Sequence, residues 1–346
     1  MLQKILVTGG AGYIGSHTVV ELIESNYDPV IIDNMSNASP EVIDSIEAIT
    51  GTRPMLEVFD LQDKYRLEDF FECHGDLAAV VHFAAFKAVG ESVEKPEKYY
   101  RNNLVSLLNL LECMHRFKVP SLVFSSSCTV YGQPENLPVK ESSPIQNANS
   151  PYGNTKQISE EIIRDSIAAH QDIAGVALRY FNPVGAHPSG LIGELPRGVP
   201  NNLLPFITQT GLGLRESLKV FGGDYNTPDG SCIRDYLHVV DLAKAHVTAI
   251  QRLLDNKNLA PFEVFNLGTG KGVSVLEMVQ MFEKVSGTKL PYQVVGRRAG
   301  DIEQIWADPQ RANEELGWKA EISLEEMVAS AWQWEQNYTQ KHPERT

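Results

Sequence analysis

A tyrosine and a lysine four residues apart, Tyr152 and Lys156, follow a run of hydroxyl side chains, Ser125-Ser126-Ser127-Cys128-Thr129. On a helix, positions four apart project from one face. An ammonium beside a phenol favours the phenolate, and bringing a tyrosine from its ordinary pKa near 10 to near 7 takes roughly 4 kcal/mol of differential interaction. A lysine together with a positively charged cofactor ring supplies that in a partly dry site. Tyr152 then accepts a proton from a substrate hydroxyl, and Ser127 or Thr129 holds or relays it. The four-residue spacing recurs by chance in many chains. Its weight comes from the serine-rich strand end before it and from a second motif near the amino terminus.

That second motif runs Ile5-Leu6-Val7-Thr8-Gly9-Gly10-Ala11-Gly12-Tyr13-Ile14-Gly15, with Gly9, Gly12 and Gly15 three apart. A strand, a glycine turn and a helix start let the backbone approach a pyrophosphate, whose charge then faces the helix N-terminus. Asp33 closes the next apolar run at about the ~20-residue distance at which a carboxylate meets ribose hydroxyls. A carboxylate there repels a 2′-phosphate, so NAD is expected rather than NADP. Asp60-Leu61 and Phe83-Ala84-Ala85-Phe86-Lys87 end later strands and are candidates to flank adenine and the nicotinamide ribose.

These groups need a frame. Apolar β-rich runs at Ile5–Val7, Val30–Ile32, Met55–Phe59, Ala79–Phe83, Leu122–Ser125 and Val176–Tyr180 alternate with helical patterns, one of them beginning near Pro151. Continuous apolar strands separated by helices predict an α/β fold, a doubly wound parallel sheet of the Rossmann kind that binds ligands at its carboxyl edge. After Tyr180 the chain is rich in Pro, Gly and Asn. Helices are expected near Val239–Leu254 and Ser274–Val285, a strand near Phe262–Leu267, and a last helix over Leu324–Tyr338 with a tail that frays from Lys341. The division expected is a dinucleotide-binding domain over 1–180 and a smaller α+β substrate lobe over 181–340, with parts near 236–268 packing back on the first domain.

The chain of 346 residues has ample material for a core. Lys+Arg total 30 against Asp+Glu 44, a net charge of −14. This argues against nucleic acid or an anionic membrane surface as partner, while leaving room for a small anion in an arginine pocket. Four scattered cysteines predict free thiols in a reducing compartment, and no signal pattern or apolar run near ~18 residues is present, so the cytoplasm is expected. No paired metal-ligand spacing and no GxSxG elbow occur, so neither a metal nor a nucleophilic serine is expected.

The glycine turn, the strand end Ser125–Gly132 and Tyr152-Gly153-Asn154-Thr155-Lys156 together resemble the extended short-chain dehydrogenase/reductase family. Lys87–Ser92, Arg179–Ala186, Pro200–Leu203 and Arg234–Val239 resemble its UDP-galactose 4-epimerase branch over almost the whole chain. The resemblance implies that Tyr152 is the catalytic base with Lys156 as its cationic partner, and that Ser127 binds the sugar 4-hydroxyl with Thr129 nearby. It implies NAD held by Gly9, Gly12, Tyr13, Ile14, Gly15, Asp33, Asn34, Asn37, Asp60, Leu61, Phe83, Ala84, Ala85, Lys87, Asn102 and Phe181, together with Ser127, Tyr152 and Lys156. Tyr180, Asn182, Asn202, Leu203, Phe221, Arg234, Arg298 and Asp301, with Ser127 and Tyr152, would hold the UDP-sugar, the guanidinium forks suiting diphosphate oxygens. Cys128 stands where the family commonly has alanine. Ile305 aligns with a gate position where bulk excludes N-acetylated sugars; isoleucine is intermediate and leaves that choice open.

The implied reaction interconverts UDP-galactose and UDP-glucose. The C4 hydroxyl is oxidised to a bound 4-keto sugar, the sugar rotates, and the hydride returns to the opposite face, so that tightly bound NAD is regenerated each cycle. Binding energy then belongs on UDP rather than on the turning hexose. Other UDP-sugar 4-epimerases, for N-acetylhexosamines or pentoses, and decarboxylases are alternatives. A dehydratase needs an added acid–base pair beside Thr129, where Cys128 and Val130 supply none. A non-catalytic NAD sensor would have lost Tyr152 or Lys156. A homodimer is implied by the family.

Overall fold

The computed structural model describes residues 2–298 and 301–345. Six strands, β1 Lys4–Thr8, β2 Asp28–Asp33, β3 Met55–Val58, β4 Leu77–His82, β5 Ser121–Ser125 and β6 Ala174–Tyr180, lie parallel with a seventh, Phe262–Leu267. The spatial order is Phe262–Leu267, β6, β5, β4, β1, β2, β3. Chain order reverses between β1 and β4, and the connections leaving their carboxyl ends run to opposite sides of the sheet and so leave a crevice there.

Strand periodicity sorts the side chains. Ile5 and Val7 face one way, against Val19, Val20 and Leu22 of α1 (Tyr13–Glu24), Ile43 and Ile46 of α2 (Glu41–Thr50), and Leu242 and Ile250 of the helix Val239–Leu254. Leu6 between them faces the other way. There Val80, Leu122 and Phe124 meet α3 (Lys64–Cys73), α5 (Pro96–Phe117) and α6 (Pro151–His170) through Phe71, Leu110, Met114 and Ile163. A short α4 (Val89–Glu94) precedes α5. Both faces are therefore covered, as an all-parallel sheet requires.

A second core gathers the helices Leu203–Gly211, Val275–Ser286 and Leu324–Lys341 around Leu204, Ile207, Phe282, Met327 and Val328. Its strands are short: Leu218–Phe221 pairs with Tyr292–Val295, and Ile233–Arg234 lies between Val273–Ser274 and Gln304–Ile305. The helix Leu203–Gly211 lies in a stretch whose Pro and Gly content hides any periodicity. The carboxyl-terminal expectation is corrected as well. The last helix continues through Lys341 into a turn at Pro343–Arg345, held by an ion pair from Arg345 to buried Glu335 at 3.0 Å instead of fraying. Among the described residues no helix is long and apolar enough to cross a membrane.

Candidate active site

The crevice opens into a cavity of about 1510 Å³. At its floor Gly9 has φ 71°, and a Cβ there would lie 2.8 Å from the Ala84 amide. The peptide nitrogens of Phe83 and Ala84 in turn donate to Thr8 O at 3.0 and 3.1 Å, which draws the ends of β1 and β4 together. A Cβ on Gly15 would fall 2.3 Å from Gly9 O, so the turn and the start of α1 touch backbone to backbone. Gly12 caps α1 without a side-chain partner, and the first turn of α1 carries no acidic residue. The helix thus presents its N-terminal donors and positive dipole end to the cavity.

Asp33, at the end of β2, accepts from Ala11 N at 3.1 Å and Met35 N at 2.9 Å, one on each carboxylate oxygen. Burial raises its pKa against those two bonds, and each oxygen keeps a lone pair for a ligand hydroxyl. Asn34 bonds Asp60 at 2.9 Å, and Asn37, Leu61, Ala85 and Asn102 line the same wall. A glycine cradle that a Cβ would fill, an uncapped helix end and a carboxylate one strand over match the chemistry of a dinucleotide's pyrophosphate and ribose.

Ser150 caps α6 by accepting from Gly153 N at 3.2 Å, with Pro151 in the first turn. That cap aims Tyr152 into the cavity beside Tyr180, whose hydroxyl pairs with Ser125 Oγ at 2.8 Å. Burial pushes the Tyr152 phenol well above its ordinary pKa, Tyr180 adds to this, and a hydrogen bond with Ser127 opposes it. Lys156 does not meet the phenol. Its Nζ donates to Ser125 O at 2.6 Å and lies 4.8 Å from the Phe124 ring centre. Burial lowers Lys156 to about 8 while Glu160 pulls it upward. No direct hydrogen bond joins Lys156 to Tyr152 here: one N–H of the ammonium is held by the end of β5, and the side chain also lines the cavity.

Ser127 caps the short turn Cys128–Tyr131 by accepting from Thr129 N at 3.2 Å, and lies one step behind the cavity wall. Burial drives the Cys128 thiol up to about 12, so it stays neutral. The Thr129 hydroxyl is buried without a partner at the cavity edge. Besides Ser127, a second expected cofactor residue lies off the cavity: the Phe181 ring packs with Val130, Tyr131, Val139, Ile305 and Ala307 and does not line it.

The expected substrate residues Asn182, Asn202, Leu203, Phe221, Arg234, Arg298 and Asp301 share the far wall. Arg298 stacks 5.2 Å over Phe221 and donates to Asp301 at 2.6 Å. Arg234 donates to Ile233 O at 2.8 Å. Asn202 caps the helix Leu203–Gly211 by position only, leaving a second helix N-terminus without a side-chain cap in the same cavity. Sequence reasoning passed over Glu194 and Arg197, charged residues inside a Pro/Gly-rich stretch with no motif around them. Glu194 accepts from Lys87 at 3.1 Å and Asn202 at 2.6 Å, and Arg197 donates to Ser36 O and Ala38 O at 2.9 and 2.5 Å. Among the described residues no cluster of His, Cys, Asp or Glu could hold a metal ion.

Comparisons with known proteins place this geometry. Residues 6–331 match the family model described as GDP-mannose 4,6 dehydratase. The UDP-glucose 4-epimerase of Dictyostelium discoideum is 51% identical over 333 residues, 96% of either chain. The UDP-glucose 4-epimerase of Bifidobacterium longum, solved in complex with NAD+ and UDP, superposes with a TM-score of 0.93 at 45% identity, covering 99% of this chain and 100% of that one. The enzyme of Stenotrophomonas maltophila, with bound NAD and formylated UDP-arabinopyranose, gives 0.94 at 45% identity over 98% and 99%.

Proposed function

The chain belongs to the UDP-glucose 4-epimerase family of the extended short-chain dehydrogenases/reductases, and from that premise we propose that it interconverts UDP-galactose and UDP-glucose with NAD as resident cofactor. The observation that carries the reading is the Tyr152 side chain: it lines the cavity floored by the glycine turn and walled by Arg234 and Arg298. NAD, when bound, supplies a reversible acceptor for the C4 hydrogen of the sugar and a positive ring in the crevice.

The residues of the chain do the rest. The uncapped end of α1 takes the dinucleotide pyrophosphate and Asp33 its ribose hydroxyls. Arg234, Arg298 and Asn202 take the uridine diphosphate, so affinity resides at the nucleotide and the hexose is free to turn. Tyr152 takes the proton of the 4-hydroxyl and returns it, with the partnerless Thr129 hydroxyl at the cavity edge to hold the oxygen and Ser127 acting on the phenol from behind the wall. Lys156 keeps one N–H on Ser125 O and lines the cavity with donors to spare, so it braces the strand end, can take a cofactor hydroxyl, and shares with the cofactor ring the charge that favours the phenolate. The residues beside Thr129 are Cys128 and Val130, neither able to serve the acid–base step of a dehydratase. Ile305, 2% exposed, packs into the Val130–Phe181 cluster at the cavity wall, and that fixed bulk is where acceptance of N-acetylated sugars would be decided. A cytoplasmic homodimer accompanies this reading; the family resemblance supports it, and size-exclusion of the purified protein checks the assembly.

The test is direct. Purified protein is expected to release NAD on denaturation and to convert UDP-galactose, with UDP-N-acetylgalactosamine and UDP-xylose assayed alongside. Tyr152→Phe is expected to keep NAD and lose turnover by at least a hundredfold, the scale of a general base. Undiminished turnover in that variant would remove Tyr152 from its role.

A further inference from the structure

The segment 190–202 crosses the cavity mouth between the two nucleotide-binding regions. Within this segment Arg197 holds the loop after β2 through Ser36 O and Ala38 O. Three residues earlier one carboxylate oxygen, Glu194 Oε1, receives both Lys87 Nζ and Asn202 Nδ2. Lys87 follows β4 on the dinucleotide side, and Asn202 begins the helix Leu203–Gly211 on the sugar-nucleotide side. The Glu194 side chain is 12% exposed, and its backbone oxygen accepts from the Trp334 indole at 3.3 Å. Its main chain is therefore anchored from behind, while its one carboxylate oxygen holds both partners. Asn202 turns its amide to Glu194 while capping nothing, so that amide is oriented by the carboxylate.

We propose that Glu194 is a positioning residue that couples the two nucleotide sites, so that a dinucleotide ordering Lys87 also orders Asn202 for the uridine diphosphate, and the reverse. The proposal rests on the reading of the two sites given above and deepens it. An acid between two diphosphate-binding regions has no direct use there, since its charge repels both ligands; its use is the bridge. Linkage makes the coupling reciprocal, and couplings of this kind run to roughly 5–150-fold. Absolute affinity cannot test it, because removing Glu194 both loses the bridge and relieves repulsion, with opposite signs. The ratio of cofactor retention with and without the second ligand can.

Purified holoenzyme is passed through repeated gel filtration with and without saturating UDP, and the NAD remaining on the protein is measured. In the parent protein UDP is expected to slow NAD loss at least fivefold. Glu194→Ala is expected to bring that ratio close to one. Glu194→Gln keeps shape and an acceptor but not charge, and is expected to fall between. Arg197→Ala loosens the strap elsewhere, and is expected to speed NAD loss while preserving the ratio. A parent protein that carries no NAD, or whose NAD loss UDP leaves unchanged because UDP does not bind in calorimetry, overturns the epimerase reading itself. Bound NAD and bound UDP with no effect of one on the other, or a Glu194→Ala protein that keeps the parent's ratio, overturns the coupling alone.

Discussion

Glu160 sits one turn beyond Lys156 on α6, and its carboxylate takes Arg179 of β6 bidentately, at 2.9 and 2.5 Å. Both side chains are almost wholly buried, at 2% and 3% exposed. The cluster continues through Ser126 Oγ to Glu160 at 2.5 Å, Arg179 to the Tyr131 hydroxyl at 2.9 Å, and that hydroxyl to Asn266 at 2.6 Å. It therefore ties the serine-rich strand end to the helix bearing Tyr152. Deleting either charge strands the other in the interior, at a cost of about 3–5 kcal/mol, whereas replacing both with apolar groups of similar size is far cheaper. Glu160→Leu and Arg179→Met are each expected to lower unfolding free energy by that amount in urea titration, and the double variant to lose less than either single. The double-mutant cycle then reads a coupling of several kcal/mol. Single variants within about 1 kcal/mol of the parent, or a double whose loss equals the sum, would refute the view that this pair matters through mutual neutralisation. Glu160→Leu also removes the charge that holds Lys156 up, so Lys156 is expected to titrate below about 8.

Two further outcomes are expected. Gly15→Ala places a Cβ 2.3 Å from Gly9 O, forcing α1 off the turn at a strain of about 1–3 kcal/mol; NAD recovered per protomer should fall at least tenfold, and an unchanged cofactor content would show that the turn is not the pyrophosphate seat. Burial lowers His246 from 6.5 to about 4, with Nε2 lacking a partner. Its neutral form is the native one, so the stability it contributes is complete above pH 6.5 and drains as pH falls toward 4, by up to about 1.4 kcal/mol per pH unit. His246→Gln is expected to flatten the acid limb of the stability profile relative to the parent over that window, and parallel profiles would contradict the assignment.

Much of the frame was legible because buried parallel strands are nearly continuous apolar runs: Phe262–Leu267 appears in the structure with the bounds its pattern gives, and β1, β2 and β4–β6 agree within two residues at either end. The glycine turn was legible for a different reason, since close backbone approach leaves no other residue type. The strands Ile233–Arg234 and Gln304–Ile305 were not, because two residues cannot display a period. Nor was the target of Lys156: spacing puts it on the same face as Tyr152, but the carbonyl of Ser125, from another element, decides where the ammonium goes. Phe181 was misplaced for a kindred reason, alternation at the end of β6 turning its ring away from the cavity that Tyr180 lines. Glu194 and Arg197 act through partners more than a hundred residues distant, apart from Asn202, and nothing local marks them.

The last strand of the large sheet comes from residues 262–267, more than eighty residues after its neighbour β6. During synthesis on the ribosome, β6 must therefore wait with one hydrogen-bonding edge unpaired until the chain has emerged past Leu267, a template on which another nascent chain could add. A gene fragment ending near residue 180 would inherit that raw edge permanently and forfeit the helix Val239–Leu254 that covers one sheet face. The two halves are thus poor candidates for recombination as exchangeable cassettes: the polypeptide must be made whole before either nucleotide has a finished berth.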